Sequence, residues 1–255
     1  MEGLLTLMED MHREKMNPGG GAQVANYTAA VRPNVKTYNI LLKAYNSRTK
    51  FVKDIDDVKF LLEKAEKLVK RMAYLADTEV NTSAKPDHYT YSSLLNILAQ
   101  SKVPEAPEKA TDILRKAFAA DSGIGDIIVI NTALKAIAGV EGSVKEVVDM
   151  YERLEDGYFG VGMKPDKFTF STVMAALGDE GTIEAAQKVE DLYHRMTKRF
   201  ESERKGTRAA RQIQPDIYCY NSIISAWANV KSTESCQRAE NHLDSLLQAK
   251  TGIEA

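Results

Sequence analysis

The sequence predicts an all-α fold, a right-handed α-solenoid of stacked helix-turn-helix repeats, and three observations predict it. A short pattern recurs five times in register along the 255 residues. Inside each copy the apolar residues fall at i, i+3, i+4 and i+7, which is one face of a helix. A second amphipathic stretch follows every copy, and no period-two alternation of convincing length competes.

The five copies are Arg32-Pro-Asn-Val-Lys-Thr-Tyr-Asn, Lys85-Pro-Asp-His-Tyr-Thr-Tyr-Ser, Ile124-Gly-Asp-Ile-Ile-Val-Ile-Asn, Lys164-Pro-Asp-Lys-Phe-Thr-Phe-Ser and Gln214-Pro-Asp-Ile-Tyr-Cys-Tyr-Asn. Proline stops the preceding segment, and the Asp or Asn after it offers a side chain to the free N–H groups of a helix start. The first helices therefore begin at Val35, His88, Ile127, Lys167 and Ile217, spaced by 53, 39, 40 and 50 residues. Their apolar faces are Tyr38, Leu41, Leu42 and Tyr45; Tyr91, Leu94, Leu95 and Leu98; Ile130, Ala133, Leu134 and Ile137; Phe170, Val173, Met174 and Leu177; and Tyr220, Ile223, Ile224 and Trp227. Ala44, Ala136, Ala176 and Ala226 sit just before the last of these, consistent with close helix approach.

The second helices are expected over Val58–Met72, Ala106–Phe118, Val144–Leu154, Ile183–Met196 and Ser235–Leu247. Leu4 to Met11 reads as another second helix whose partner is missing, so the chain is expected to be a segment of a longer one. One solenoid then covers 1–255: a partial unit and loop over 1–34, and units at 35–87, 88–126, 127–166, 167–216 and 217–255. Residues 17–31 carry Pro18 and three glycines and read as a loop, and 73–84 as a frayed helix end and loop. Residues 197–213 hold Lys198, Arg199, Arg204, Lys205, Arg208 and Arg211 against Glu201 and Glu203. This locally basic loop reads either as a solvated helix extension or as a phosphate contact.

Composition excludes several functions. A net charge of −2 rules out holding nucleic acid by bulk electrostatics, though not a local basic groove. Cys219 and Cys236 form no CxxC pair and no disulfide framework. Cys219 stands where other units have Thr, and is expected to be a small buried side chain. The longest aliphatic run, Ile127 to Ile130, is far short of the roughly 18 residues of a membrane span. His12, His88, His194 and His242 are scattered, and Cys236 and His242 are too far apart on a helix to share a face. Gly19-Gly20-Gly21 lacks the strand and helix of a phosphate loop. No enzyme activity, cofactor, metal site or small-molecule substrate is expected.

One interior position of the five helices reads Asn39, Ser92, Asn131, Ser171 and Asn221. Asn and Ser are poor to indifferent helix formers, so the recurrence asks for a reason beyond folding. Equivalent positions of a solenoid form a line, and a line of amides and hydroxyls suits the reading of base edges. The rival is that these groups bond each other or a neighbouring turn. Asp87, Asp126, Asp166 and Asp216 suit helix capping and base reading equally, and the two roles are compatible. Lys36, Tyr89, Ile128, Phe168 and Tyr218, near each helix start, suit stacking on bases. Partial burial between units is an equal alternative for Ile128 and Phe168, while the polar tips of Tyr89 and Tyr218 favour the surface.

The pattern Pro-Asp-x-x-Thr-Tyr-Asn-x-Leu-Ile resembles the pentatricopeptide repeat, most closely at Thr37-Tyr38-Asn39 and Tyr220-Asn221-Ser222-Ile223-Ile224, with Ala65-Glu-Lys-Leu-Val-Lys-Arg-Met as the second helix. The resemblance covers nearly the whole chain. These units are longer than the family's, by roughly 4 to 18 residues. It implies binding of single-stranded RNA, one base per unit. The implied reading pairs are Asn39 with Asp87, Ser92 with Asp126, Asn131 with Asp166 and Ser171 with Asp216; Asn221 lacks a closing partner within the chain. The implied base-stacking residues are Lys36, Tyr89, Ile128, Phe168 and Tyr218. By the family's rules the four pairs resemble readers of U, G, U and G. The resemblance further implies RNA processing, stability or translation in a mitochondrion or plastid, with other RNA-processing proteins as partners; no transit peptide is read in the chain. The alternative is a protein–protein scaffold using the concave face.

Overall fold

Each of the five recurring patterns starts a helix at the residue where the spacing puts it. The computed structural model describes residue 3 and residues 33–52, 54–119, 126–160 and 162–251. The first helices are α1 (Val35–Thr49), α3 (His88–Ser101), α5 (Ile127–Ala138), α7 (Lys167–Gly178) and α10 (Ile217–Asn229). The second helices are α2 (Ile55–Asp77), α4 (Ala106–Ala119), α6 (Val144–Glu155), α8 (Ile183–Ser202) and α11 (Thr233–Thr251). A 3-10 turn covers Thr82–Ala84 and a short helix, α9, covers Arg208–Ile213. No strand occurs among the described residues. The helix expected over Leu4 to Met11 and the loop at 17–31 lie outside the described residues.

The starts are sharp because every one is capped. Asn34 accepts the Thr37 N–H at 3.2 Å, and the Thr37 hydroxyl accepts the Asn34 N–H at 3.3 Å. Asp87 with Thr90 and Asp166 with Thr169 repeat this reciprocal box. Asp126 accepts from the N–H of Ile128, and Asp216 from those of Tyr218 and Cys219. A cap of this kind stabilises a helix by about 1 kcal/mol.

The chain's contacts group into two compact units, Met1–Ala136 and Ile137–Ala255, so that α5 is shared between them. In the first unit, α1 packs on α2 and on α3, α2 also packs on α3, and α3 on α4. In the second, α7 packs on α6, α8 and α10, α8 also packs on α10 and α9, and α10 on α11. Each unit thus places successive first helices side by side with the intervening second helix against both.

The core follows the expected faces. Tyr38, Leu42, Leu95, Leu98, Ile130, Leu134, Phe170 and Trp227 are all at most 2% exposed. Tyr45, Tyr220 and Ile224 are only half-buried. Between α7 and α10 the approach is close because both faces are small: a Cβ on Gly178 would meet that of Ala226 at 3.5 Å. Polar clamps add to this. Gln100 of α3 donates to Asn46 at 2.8 Å and accepts from Thr49, both on α1, and Asn229 of α10 donates to the Gly178 carbonyl at 2.9 Å.

Residues 197–213 begin as the helix extension that was one of their two readings: α8 continues to Ser202, and the short α9 forms after a turn at Gly206. Half-buried Arg199 and Phe200 carry the α8 pattern past Met196; the helix ends where Glu203 turns extended, and Gly206, at φ +83°, supplies the turn before α9.

Replacing Phe170 by alanine removes a ring that is 1% exposed, and is expected to cost about 3–5 kcal/mol in urea unfolding. Thr182, the exposed N-cap of α8 bonded to the Ala185 N–H at 3.1 Å, should lose only about 1 kcal/mol on the same change. Equal costs would mean that the caps, not the shared apolar faces, dominate stability.

Candidate functional site

Helix geometry decides which side chains each start displays. With the Asp or Asn cap before it, the second helical residue lies roughly 200° from the fourth, which enters the core. The second and fifth residues lie three apart and share a face. The fourth residues are Tyr38, Tyr91, Ile130, Phe170 and Tyr220; the second are Lys36, Tyr89, Ile128, Phe168 and Tyr218; the fifth are the Asn/Ser series.

The second residues are all exposed. Tyr89 is 64%, Ile128 59%, Phe168 61% and Tyr218 70% exposed, and Lys36 is exposed too. Burial between units, which the sequence left open for Ile128 and Phe168, does not occur. Single exposed apolar side chains need no explanation. Four at one register position do, because burying each would gain roughly 1.5–3 kcal/mol.

The Asn/Ser series behaves differently from member to member. Asn39 is half-buried and tied to the next helix start: its Nδ2 donates to Asp87 Oδ1 at 3.0 Å, and its Oδ1 accepts from the Thr90 hydroxyl at 2.7 Å. The first expected pair is therefore in direct contact. Bonding to a neighbouring turn, the rival reading, is real here, and it holds the amide in one orientation. Ser92 and Asp126 are both half-buried, and no hydrogen bond joins them. Asn131 is half-buried on α5. Asp166 caps α7 through the N–H groups of Phe168 and Thr169. Ser171 turns its hydroxyl onto the Phe168 carbonyl at 3.1 Å, and Asn221 is exposed.

The aspartates cap, and three of them keep a second oxygen in hand. Among the described residues, the Asp87, Asp126 and Asp216 carboxylates take all their hydrogen bonds on Oδ1. Capping and an outward contact therefore need not compete for the same lone pairs.

In the second unit these residues come together. A groove of about 550 Å³ runs between α7 and α10, lined by Phe168 and Ser171 from one helix and Asp216, Tyr218 and Asn221 from the other. Lys167 and Asp179 also line it, and the Lys167 ammonium lies 5.3 Å from the centre of the Phe168 ring. Two exposed rings thus flank a hydroxyl, an amide and a carboxylate. That arrangement can sandwich a flat, polar-edged group.

The sequence reading missed what holds the site. The buried Thr90 hydroxyl orients Asn39, and the signal was present in the repeated third-position Thr37, Thr90 and Thr169. Two other anchors had no local signal. Asn81 donates to the Pro33 carbonyl at 2.8 Å, and Arg199 to the Pro165 carbonyl at 3.0 Å. In both units a residue at or just past the end of a second helix thereby grips the proline just ahead of the cap of its own first helix.

Cys219 is fully buried, its Sγ 3.7 Å from Met196 Sδ and 3.6 Å from Asp216 Oδ1, whereas Cys236 is exposed. Burial pushes the Cys219 thiol above its usual pKa. His242 bonds Glu190, which also accepts the Trp227 indole N–H at 2.7 Å, so neither His242 nor Cys236 is part of a ligand cluster. Among the described residues no group of three or more His, Cys, Asp or Glu could hold a metal, and no helix is long and apolar enough to cross a membrane. No known family model matches the chain, and no curated protein matches it.

Thr90→Val keeps the shape but strips the hydroxyl from Asn39 and from the Asp87 N–H. It is expected to cost about 1–3 kcal/mol in urea unfolding, from buried polar groups left without partners. A cost near zero would mean that Asn39 is not held by this bond. In thiol titration at pH 8, one cysteine, Cys236, should react at once. The raised pKa leaves Cys219 almost wholly as thiol at that pH, so it should react only when the protein unfolds. Two fast thiols would contradict the packing around α10.

Proposed function

We propose that this chain binds single-stranded RNA with sequence preference, through pentatricopeptide-type helix pairs stacked as a right-handed solenoid, and does no chemistry on the bound strand. The observation that carries the reading is the groove between α7 and α10. It gathers Phe168, Ser171, Asp216, Tyr218 and Asn221, which were singled out from sequence register alone, around a space of about 550 Å³. On this reading a base stacks on Phe168 and Tyr218, with Ser171 and Asp216, which line the same groove, at its edge. The contact of Asn39 with Asp87 supports the pairing of an interior Asn with the residue that closes its unit.

The successive pairs Asn39 and Asp87, Ser92 and Asp126, Asn131 and Asp166, Ser171 and Asp216 would read U, G, U and G. Binding of this kind acts by occupying a site: it blocks a nuclease, opens a hairpin or tethers an RNA-processing protein. On this reading the chain belongs to RNA processing, stability or translation in a mitochondrion or plastid. Stacking contributes roughly 1–3 kcal/mol per base gross, and ordering costs offset much of it, so four bases correspond to weak binding.

Fluorescence anisotropy of a labelled RNA containing UGUG, against its complement and the DNA form, tests the reading. The UGUG strand should bind more tightly than either. Phe168→Ala and Tyr218→Ala should each weaken it by roughly 5- to 150-fold, the equivalent of about 1–3 kcal/mol. Binding that ignores sequence would leave only backbone contact. Absence of binding to every strand would favour a protein–protein scaffold instead.

A further inference from the structure

Residues 198–211 are a basic island in an acidic unit. Outside them, residues 137–255 carry nine Lys and Arg against seventeen Asp and Glu, a balance of −8. The island itself carries six against two, a balance of +4. The groove between α7 and α10 cannot supply this charge, since its ionisable side chains are Lys167, Asp179 and Asp216.

Folding does not use these cations. Lys198, Arg204, Lys205, Arg208 and Arg211 are exposed, and none makes an ion pair or side-chain hydrogen bond among the described residues. Arg199 alone is engaged, on the Pro165 carbonyl. Glu201 and Glu203 do not neutralise their neighbours either. The segment is nonetheless docked rather than loose: Ala210 and Ile213 of α9 are each 3% exposed, and Thr207 caps α9 through the Ala210 N–H at 3.2 Å.

Its position follows from its ends. Arg199 reaches the carbonyl three residues before Phe168, so the end of α8 lies at the start of α7. Arg211 precedes Asp216 by five residues, which bounds their separation at about 18 Å. The island therefore bridges the starts of α7 and α10, the two points that present Phe168 and Tyr218.

We propose that Lys198, Arg204, Lys205, Arg208 and Arg211 form a phosphate-contact strip for the strand whose bases enter the α7–α10 groove. The inference rests on the RNA reading and adds to it where the backbone runs. The half-buried Asp166 and Asp216 carboxylates at the two helix starts repel phosphate, so a strand seated with its bases on Phe168 and Tyr218 has its backbone drawn toward this strip. An acidic protein segment would be the competing polyanion, but it offers no flat groups for the two rings.

The test is the salt dependence of binding by the full 255-residue chain. Each phosphate neutralised on a single strand contributes about −0.7 to the slope of log K against log salt. In the variant carrying Arg204→Gln, Lys205→Gln, Arg208→Gln and Arg211→Gln the slope should shrink by up to about 2.8. Between about 50 and 200 mM salt the parent would then lose roughly 50-fold more affinity than the variant. Phe168→Ala should weaken binding and leave the slope alone, and circular dichroism melts should overlay for parent and variants. UGUG-selective binding with an unchanged slope in the glutamine variant would overturn the strip and leave the base reading standing. Salt-sensitive binding lost in that variant but blind to sequence would support the strip and overturn the base reading. Equal affinity of the parent for polyglutamate and RNA, or no binding to either, would overturn both.

Discussion

The structure depends on one small arrangement, the carboxylate or amide that caps each first helix. Its acceptor oxygen takes the N–H of the second or third helical residue, and this fixes where the helix starts to within a residue. Everything displayed follows from that phase. The fourth residue goes inward, fully buried in four of the five helices, the second stays out, and in α1 the fifth, Asn39, turns toward the next helix start. A cap displaced by two residues would rotate the helix by roughly 200° and exchange Phe170 for Phe168 in the core. The proline ahead of the cap matters for the same reason. In two units its carbonyl is gripped from the far end of the second helix, by Asn81 just past α2 in one and by Arg199 in the last turn of α8 in the other.

Packing then transmits the phase from pair to pair. Leucines and aromatic rings fill the space under the first helices, while Gly178 and Ala226 let α7 and α10 approach closely. Short polar bonds settle how the helices slide against each other. The Gln100 bonds to α1 act at one end of the α1–α3 contact, and the Asn39 bonds at the other. A slip along the axis would break both sets.

Much of this was legible in the sequence, and the reasons are physical. Helix starts, the apolar faces, the buried Cys219 and the exposure of Tyr89 and Tyr218 all follow from local capping and a 3.6-residue period, which one chain segment carries by itself. Ile128 and Phe168 were ambiguous because a hydrophobic side chain says nothing about whether a neighbour reaches it. The continuation of α8 through Ser202 was legible as a helix extension, but its end was not, because arginines and lysines that bury stems while exposing heads blur a hydropathy pattern. The bonds of Asn39 to Asp87 and Thr90 join residues 48 and 51 positions apart, and the two proline grips residues 48 and 34 apart, so no short window of sequence contains them. The convergence of five side chains on one groove was foreseeable only as a shared register, not as a space with a size.

The hold on Asn39 has a consequence for modularity. Turned over, its amide would set oxygen against the Asp87 carboxylate, so the side chain has one face to show and sacrifices no rotational entropy in showing it. The hydroxyl that enforces this belongs to the following repeat. Thr90 and Thr169 follow the asparagines at 39 and 131, whereas Val129 and Cys219 occupy that place after the serines at 92 and 171. The repeats are therefore not interchangeable letters. Transplanting one would rewrite the character before it as well as its own.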